Sequence, residues 1–158
     1  THEQVPYGFK PAAFSLAHSL GYDQAIWLDA SCRVVKPLPW DQMETHGYYL
    51  GLEGWLIGQW CNATAASLLE VTDAEMGLPL MEGKIIGLDF RSEVALEFLA
   101  LWSHAAMIGG FKGDWQTHRH DITCGAVIAH RLGMRLTEHP VTLGGVTHPD
   151  SYVVAGGM

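Results

Sequence analysis

The sequence predicts an α/β protein with a mainly parallel sheet flanked by helices. Short apolar runs of strand length alternate along the chain with longer segments in which apolar residues recur at helical spacing. Glycine and proline residues separate these segments. Strands joined through a helix usually lie parallel in one sheet, which sets the predicted strand direction. Because 158 residues without a repeat or a linker suit one domain, we expect a single domain over residues 1–158.

The first half of the chain is predicted to contain three helices and two strands. The helices are expected over 11–20, 39–45 and 61–69, and the strands over 24–28 and 48–52. Pro11 suits the first turn of the first helix, and Gly21 is its expected stop. The first strand is an apolar run that ends at Asp29, and its length favours a buried strand. A single helical turn over 73–76 completes this half.

The second half is predicted to contain one strand, two longer helices and a strand in the tail. The strand covers 84–88, and Ser92 is the expected N-cap of the longest helix, which Gly109 and Gly110 terminate. A loop rich in Gly, Asp, Trp and His follows over 111–120. The second long helix covers 121–132 and ends at Gly133, and a short strand is expected in the tail after Arg135.

Composition and charge exclude some classes of function. Nine Lys and Arg face 17 Asp and Glu, for a net charge of -8, and no basic run is present to coat a nucleic acid. The longest apolar stretch, 94–110, is interrupted by Glu97 and predicts no membrane span. Cys32, Cys61 and Cys124 are odd in number and widely spaced, which indicates reduced thiols. Without a visible leader sequence, these features predict a cytoplasmic protein.

Asp29 is the first candidate functional residue. Ligand sites of open α/β sheets lie at the carboxyl ends of the strands, where the run Trp27-Leu28-Asp29 would place an acid. A carboxylate there can bind Mg²⁺ or Mn²⁺, which offsets the charge of a diphosphate. The alternative is a structural one, because Asp directly after a strand is a common turn or cap residue.

The segment His118-Arg119-His120-Asp121 is the second candidate, at the junction of the Gly/Trp loop and a helix. Arg119 and the helix N-terminal amides suit a phosphate oxygen. Asp121 suits activation of a hydroxyl or completion of a metal shell. The alternative is an N-cap at Asp121 with exposed histidines, which leaves the His-Arg-His run unexplained.

Three segments together resemble glycosyltransferases of the GT-A type. The segment 21–31, GYDQAIWLDAS, is similar to the strand that leads into the metal-binding acidic motif of that group. The segment 83–89, GKIIGLD, resembles its later G-(I/V)-x-G-(F/L)-(D/N) strand. The segment HRHD at 118–121, followed by AHRLGM at 129–134, resembles the "HR-x-DQ" segment and is closest to small bacterial and phage glycosyltransferase-like proteins.

The resemblance implies roles for individual residues. Asp29 would contact the metal, Mn²⁺ or Mg²⁺, or the ribose-diphosphate, and His139 or His148 would complete the metal shell. Ser31 stands where the family has a second acid, and Ile122 where it has Gln. The remaining candidates are a catalytic Asp121, as base or acceptor contact, and the substrate-binding residues Ser31, His118, Arg119, His120 and Trp115.

The resemblance also implies a fold and a function. The fold would be GT-A-like without the N-terminal strand-helix-strand unit, so the 158 residues would be a fragment or a reduced protein. The chain would transfer a sugar from a nucleotide-diphosphate sugar to an acceptor hydroxyl with the help of a metal. Two alternatives stay open. One is a catalytically degenerate module that binds glycans or serves a structural role. The other is a zinc hydrolase, because His118-x-His120 is a spacing at which two histidines share a metal.

Overall fold

The computed structural model describes residues 5–138, 141–143 and 148–155. Its α-helices are α1 (Phe9–Ser19), α2 (Trp40–His46), α3 (Ala63–Leu68), α4 (Asp73–Met76), α5 (Glu93–Met107) and α6 (His120–Arg131). Its strands are β1 (Gln24–Leu28), β2 (Cys32–Val34), β3 (Tyr48–Leu56), β4 (Pro79–Asp89), β5 (Val141–Leu143) and β6 (Val153–Ala155). A 3₁₀ turn over Ile57–Gln59 follows β3. Each helix and strand predicted from the sequence up to residue 132 overlaps one of these elements.

Strand β4 is the centre of the larger sheet. It runs antiparallel to β1 on one side and to β3 on the other, with Ile86 opposite both Trp27 and Leu50. Apart from Pro79 and Lys84, which are partly exposed, its eleven residues are buried. A strand buried on both faces reads as a nearly continuous apolar run, which explains its clear signal in the sequence.

The smaller sheet has the order β2-β6-β5. Strand β6 pairs antiparallel with β2 and parallel with β5. Because β2 begins at Cys32, only the turn 29–31 separates it from β1. The chain therefore passes from the larger sheet to the smaller one directly after Asp29.

The prediction of a GT-A-like fold with a mainly parallel sheet flanked by helices is wrong. Every pairing in the larger sheet is antiparallel, and the β5–β6 pair is the parallel exception among the named strands. Strands β1 and β3 do run in the same direction, but β4 lies between them instead of next to one of them in parallel. The short helices α3 and α4 turn the chain back after β3, whereas a parallel neighbour needs a crossover that returns it to the same end.

The two faces of the larger sheet are covered by different elements. Helices α1, α5 and α6 pack on one face, where Trp102, Phe98 and Phe111 lie in the main apolar core. Helix α2 and the smaller sheet cover the other face, where Tyr49 and Ile85 belong to a second apolar cluster. Successive side chains of a strand point to opposite faces of the sheet, so β1, β3 and β4 each contribute residues to both apolar clusters.

Several local predictions can be compared with the described residues. Ser92 is the N-cap of α5 as expected, but its hydroxyl makes no capping hydrogen bond. Helix α6 begins at His120 with Arg119 as N-cap, so Asp121 lies in the first turn and is not the cap. The three cysteines carry free thiols. Within the part of the chain that the structure describes, no helix is both long enough and apolar enough to cross a membrane.

Candidate functional site

A buried lysine joins the two carboxylates singled out in the sequence. Lys10 Nζ lies 2.9 Å from Asp121 Oδ2 and 3.4 Å from Asp29 Oδ1, and it donates a hydrogen bond of 2.9 Å to the carbonyl oxygen of Gly83. Lys10 is 2% exposed. A lysine this deeply buried stays charged when its partners are anionic. The ammonium of Lys10 is therefore surrounded by three oxygen atoms, two of which belong to carboxylates.

Four elements bring these groups together. Lys10 lies in the first turn of α1, Asp29 directly follows β1, Gly83 is in the middle of β4, and Asp121 is in the first turn of α6. A Cβ atom at Gly83 would collide with Ile122 and would stand 3.2 Å from Lys10 Nζ. Glycine thus permits β4 to approach both α6 and the lysine, which accounts for the glycine at the start of the segment 83–89.

Asp29 is the accessible carboxylate of the pair. Its side chain is 30% exposed, and its Oδ1 accepts a hydrogen bond of 2.7 Å from the indole nitrogen of Trp27. The amide of Cys32 donates to the carbonyl oxygen of Asp29, closing a four-residue turn in which Ser31 is exposed. The turn explains why Asp follows the strand, and it leaves the carboxylate at the surface beside Ser31.

Asp121 is the inaccessible carboxylate. Its side chain is 4% exposed, and its carbonyl oxygen accepts a hydrogen bond of 2.9 Å from Trp102 Nε1 in the core. Burial raises the pKa of the Asp121 carboxyl, and the ammonium of Lys10 opposes that rise. Burial would lower the pKa of Lys10, but attraction to Asp121 and then to Asp29 outweighs it, so that pKa is raised. The preceding residue, His120, has φ of +42°, a strained conformation for a side chain larger than glycine.

A second cluster of charged side chains, formed by Glu53, Glu82 and Lys84, lies next to the first along β4. Glu82 Oε1 accepts hydrogen bonds from the amide of Gly83 at 2.8 Å, the amide of Lys84 at 2.9 Å and Lys84 Nζ at 3.2 Å. Glu53 of β3 shares a hydrogen bond with Glu82. Burial, and then this hydrogen bond, raises the pKa of Glu53 to about 8. Burial would raise the pKa of Glu82 as well, but the bond from Glu53 and the charge of Lys84 lower it. Near neutral pH the pair therefore shares one proton, carried by Glu53.

This shared proton predicts a pH dependence of stability. The folded state binds the proton of Glu53 more tightly than the unfolded state between the ordinary pKa of 4.5 and about 8. The free energy of unfolding should therefore decrease as the pH rises through that range. Replacing Glu53 with Gln removes the titration, and urea unfolding at several pH values should give a flatter profile. The matched control is Glu97→Gln on the exposed side of α5, which should keep the wild-type slope; equal slopes in both variants would contradict the shared proton.

The two histidines of the predicted site are buried. His118 is 0% exposed, and its ring nitrogens lie 3.1 Å from the carbonyl oxygen of Trp60 and 2.8 Å from that of Gly110. Burial lowers the pKa of His118. His120 is 5% exposed, with Nδ1 2.8 Å from the carbonyl oxygen of Phe111. In these positions both rings hold the loop 111–119 to its surroundings, and His118 has no ring nitrogen left for a substrate.

Arg119 and Trp115 lie at the surface. The guanidinium carbon of Arg119 lies 4.0 Å from the centre of the Trp60 ring and 5.7 Å from that of Trp115. Trp115 is 60% exposed. Arg119 is also close enough to Glu53 to act on the titration of its carboxyl. Arg119 and Trp115, both predicted to bind substrate, are thus neighbours, and they lie next to the second charged cluster.

The predicted metal ligands do not come together in the described residues. His139 lies outside them. His148 Nδ1 lies 3.7 Å from Asp150 Oδ2, in the segment that precedes β6. Across 5–138, 141–143 and 148–155, no group of three or more His, Cys, Asp or Glu side chains is arranged to hold a metal ion. One exposed carboxylate and the hydroxyl of Ser31 fit an ion that arrives already bound to a diphosphate, since Mg²⁺ commonly takes one or two protein carboxylates and completes its shell with phosphates and water.

The interpretation of the sequence missed Lys10, Glu53, Glu82 and Lys84. The available signal for Lys10 was a lone charge in the apolar run 8–14, and for Glu82 and Lys84 it was a pair of charges inside an otherwise apolar strand. Charged residues in such positions are seldom buried unless they are paired. Glu53 offered no comparable signal, because it lies in the irregular half of β3.

Comparison of the chain with protein-family models, with curated proteins and with solved structures gives no match.

Proposed function

We propose that the chain is a glycosyltransferase domain that uses a nucleotide-diphosphate sugar, with its reacting centre at Asp29 and Lys10. The observation that supports this proposal is the meeting of Asp29 and Asp121 on one buried ammonium. These two residues come from separate segments that each resemble a motif of the GT-A group. Their convergence is expected if both motifs serve one site.

In the proposed reaction, the donor enters at Asp29. A divalent ion bound to the donor would neutralise the diphosphate and stabilise it as a leaving group. Asp29, with Ser31 beside it, would hold that ion, while Trp27 and Lys10 keep the carboxylate in one orientation. The bond from the anomeric carbon to the diphosphate breaks, a bond to the acceptor oxygen forms, and the acceptor proton passes to the departing diphosphate.

Asp121 has a different role in this geometry from the one predicted for it. Its carboxylate is 4% exposed and faces Lys10, so an acceptor hydroxyl approaching from solvent meets Asp29 first. We assign Asp121 as a positioning residue that holds the ammonium against Asp29. The ammonium in turn holds the carboxylate of Asp29 in place.

The test is donor binding with and without Asp29. In the presence of Mn²⁺, one of a panel of nucleoside-diphosphate sugars should raise the melting temperature by about 5–10 °C, because a ligand at about 100 times its Kd stabilises a protein by about 2.7 kcal/mol. Release of nucleoside diphosphate should accompany transfer. Asp29→Asn should abolish both effects, whereas Asp41→Asn, an exposed aspartate on α2, should retain them. No shift with any donor of the panel would refute the proposal.

A second candidate is a glycan-binding module without transfer activity. Lys10 already offsets one of the two carboxylate charges, and Ser31 supplies no second acid, so only one net negative charge remains for a metal. Binding to a glycan array that survives both chelation and the Asp29→Ala change would favour this candidate. Transfer of a labelled sugar would exclude it.

A further inference from the structure

Three tryptophans and an arginine form a continuous surface patch, which we call the aromatic platform: Trp55, Trp60, Trp115 and Arg119. The ring centres of Trp55 and Trp60 are 5.8 Å apart with an interplanar angle of 83°. Arg119 lies against the rings of both Trp60 and Trp115. Trp55 is 48% and Trp115 is 60% exposed. Exposed tryptophans that gather at one place, with their neighbours held beneath them, are typical of a binding surface.

The platform is held rigidly from below. The carbonyl oxygen of Trp60 accepts hydrogen bonds from the amide of Arg119 at 3.2 Å and the hydroxyl of Thr123 at 2.9 Å, which fastens it to the start of α6. The side-chain amide of Asn62 donates to the carbonyl oxygen of Lys112 at 2.9 Å, which fastens the loop that carries Trp115. A surface whose geometry is fixed before binding loses less entropy when a ligand binds.

The chemistry of the platform favours a sugar ring. An indole offers a flat apolar face to the C–H face of a pyranose. The indoles of Trp55 and Trp60, at nearly a right angle, form a corner that fits the non-planar pyranose ring. The guanidinium of Arg119 lies against the rings as a hydrogen-bond donor for hydroxyl groups. The buried Trp60 Nε1 has no hydrogen-bond partner among the described residues, and a polar group of that kind calls for a ligand or water.

The same features disfavour other ligands. Arg119 already occupies the cation position over Trp60, so a cationic ligand would meet its positive charge. A chain of net charge -8 is also poorly suited to an anionic membrane or to nucleic acid. We infer that the aromatic platform binds a pyranose ring of an oligosaccharide. Its assignment as the acceptor subsite rests on the proposed glycosyltransferase function, because Arg119 lies only two residues from Asp121 and thus joins the platform to the candidate site.

The experiment is saturation-transfer NMR on the whole chain, without donor or metal. The probes are neutral oligosaccharides of glucose, galactose, mannose and N-acetylglucosamine, with uridine and adenosine as flat aromatic competitors. We expect at least one oligosaccharide to bind, and Trp115→Ala and Trp55→Ala each to weaken it by about tenfold or more. The matched control is Trp40→Ala, which removes a tryptophan of similar exposure from α2 and should leave the affinity unchanged.

The outcomes separate this inference from the proposed function. No oligosaccharide binding up to about 10 mM, equal losses in the Trp40 variant, or binding of the nucleosides alone would overturn the platform as a sugar site. Sugar transfer that persists at the wild-type rate and KM in Trp55→Ala and Trp115→Ala would overturn it as well, while leaving the proposed function standing. Oligosaccharide binding without any transfer would support the platform and refute the glycosyltransferase proposal.

Discussion

Replacing Lys10 with Met should lower the free energy of unfolding by about 3–5 kcal/mol, the range measured when one member of a buried ion pair is removed. The side chain of Met fills a similar volume, so the loss reports the charge and not a cavity. Without Lys10, the carboxylate of Asp121 stays 4% exposed with no ammonium nearby to offset its charge. Urea unfolding followed by fluorescence gives the measurement.

The pH dependence of the Lys10→Met variant provides an independent check. Burial raises the pKa of Asp121, and loss of the ammonium raises it further, so the carboxyl takes up a proton more readily. A raised folded-state pKa gives stability that is present at low pH and lost as the pH rises. The free energy of unfolding of the variant should therefore be closest to that of the wild type at acid pH. The difference between them should grow as the pH rises toward neutral.

Two further variants isolate the cause. The double variant Lys10→Met/Asp121→Asn removes the unpaired charge and should recover more than half of the loss. Lys112→Met replaces an exposed lysine and should change the stability by less than about 0.5 kcal/mol. A loss below about 1 kcal/mol for Lys10→Met would show that Lys10 does not neutralise Asp121.

Truncating Trp102 to Ala should also cost about 3–5 kcal/mol, as is found for large aromatic residues in protein cores. Trp102 is 0% exposed and contacts Phe14, Phe98 and Phe111. Its indole nitrogen donates to the carbonyl oxygen of Asp121, so the same side chain packs the core and holds the first turn of α6. The measurement is again the free energy of unfolding in urea.

The milder change Trp102→Phe separates these two contributions. It keeps an aromatic ring in the core but leaves the carbonyl oxygen of Asp121 without its donor, for an expected loss of about 1–3 kcal/mol. The control Trp40→Ala removes an exposed tryptophan and should cost less than about 1 kcal/mol. If Trp102→Ala costs no more than this control, the core is not organised around Trp102.

Helices and strands could be predicted from the sequence where they depend on residues close together in the chain. The helix over 121–132 and the strand over 84–88 correspond to α6 and to the second half of β4. Periodicity, proline and glycine act within a few residues, so they can be recognised without knowing the fold. Ser92 is the N-cap of α5 as predicted, but its surroundings decide where the hydroxyl points, and it makes no capping hydrogen bond.

The direction of the strands was not predictable in this way. Alternating helices and strands suggested parallel pairs, but the order β1-β4-β3 places an antiparallel strand between two strands that run the same way. The pairing of a strand depends on which distant segment covers its edge. No local pattern carries that information.

The candidate site shows the same difference between features that depend on neighbouring residues and features that depend on distant ones. Asp29 and Asp121 could be singled out from their positions after a strand and at the start of a helix, and Arg119 and Trp115 from an unusual loop composition. Their meeting at Lys10 and the proton shared by Glu53 and Glu82 depend on contacts between residues far apart in the chain. The sequence by itself predicted the six helices, the strands β1, β3 and β4, and the acids at the end of β1 and at the start of α6. Only the tertiary structure decided which of those acids is buried and neutralised and which remains open to solvent, because burial and charge pairing depend on the packing of α1, β4 and α6 against one another.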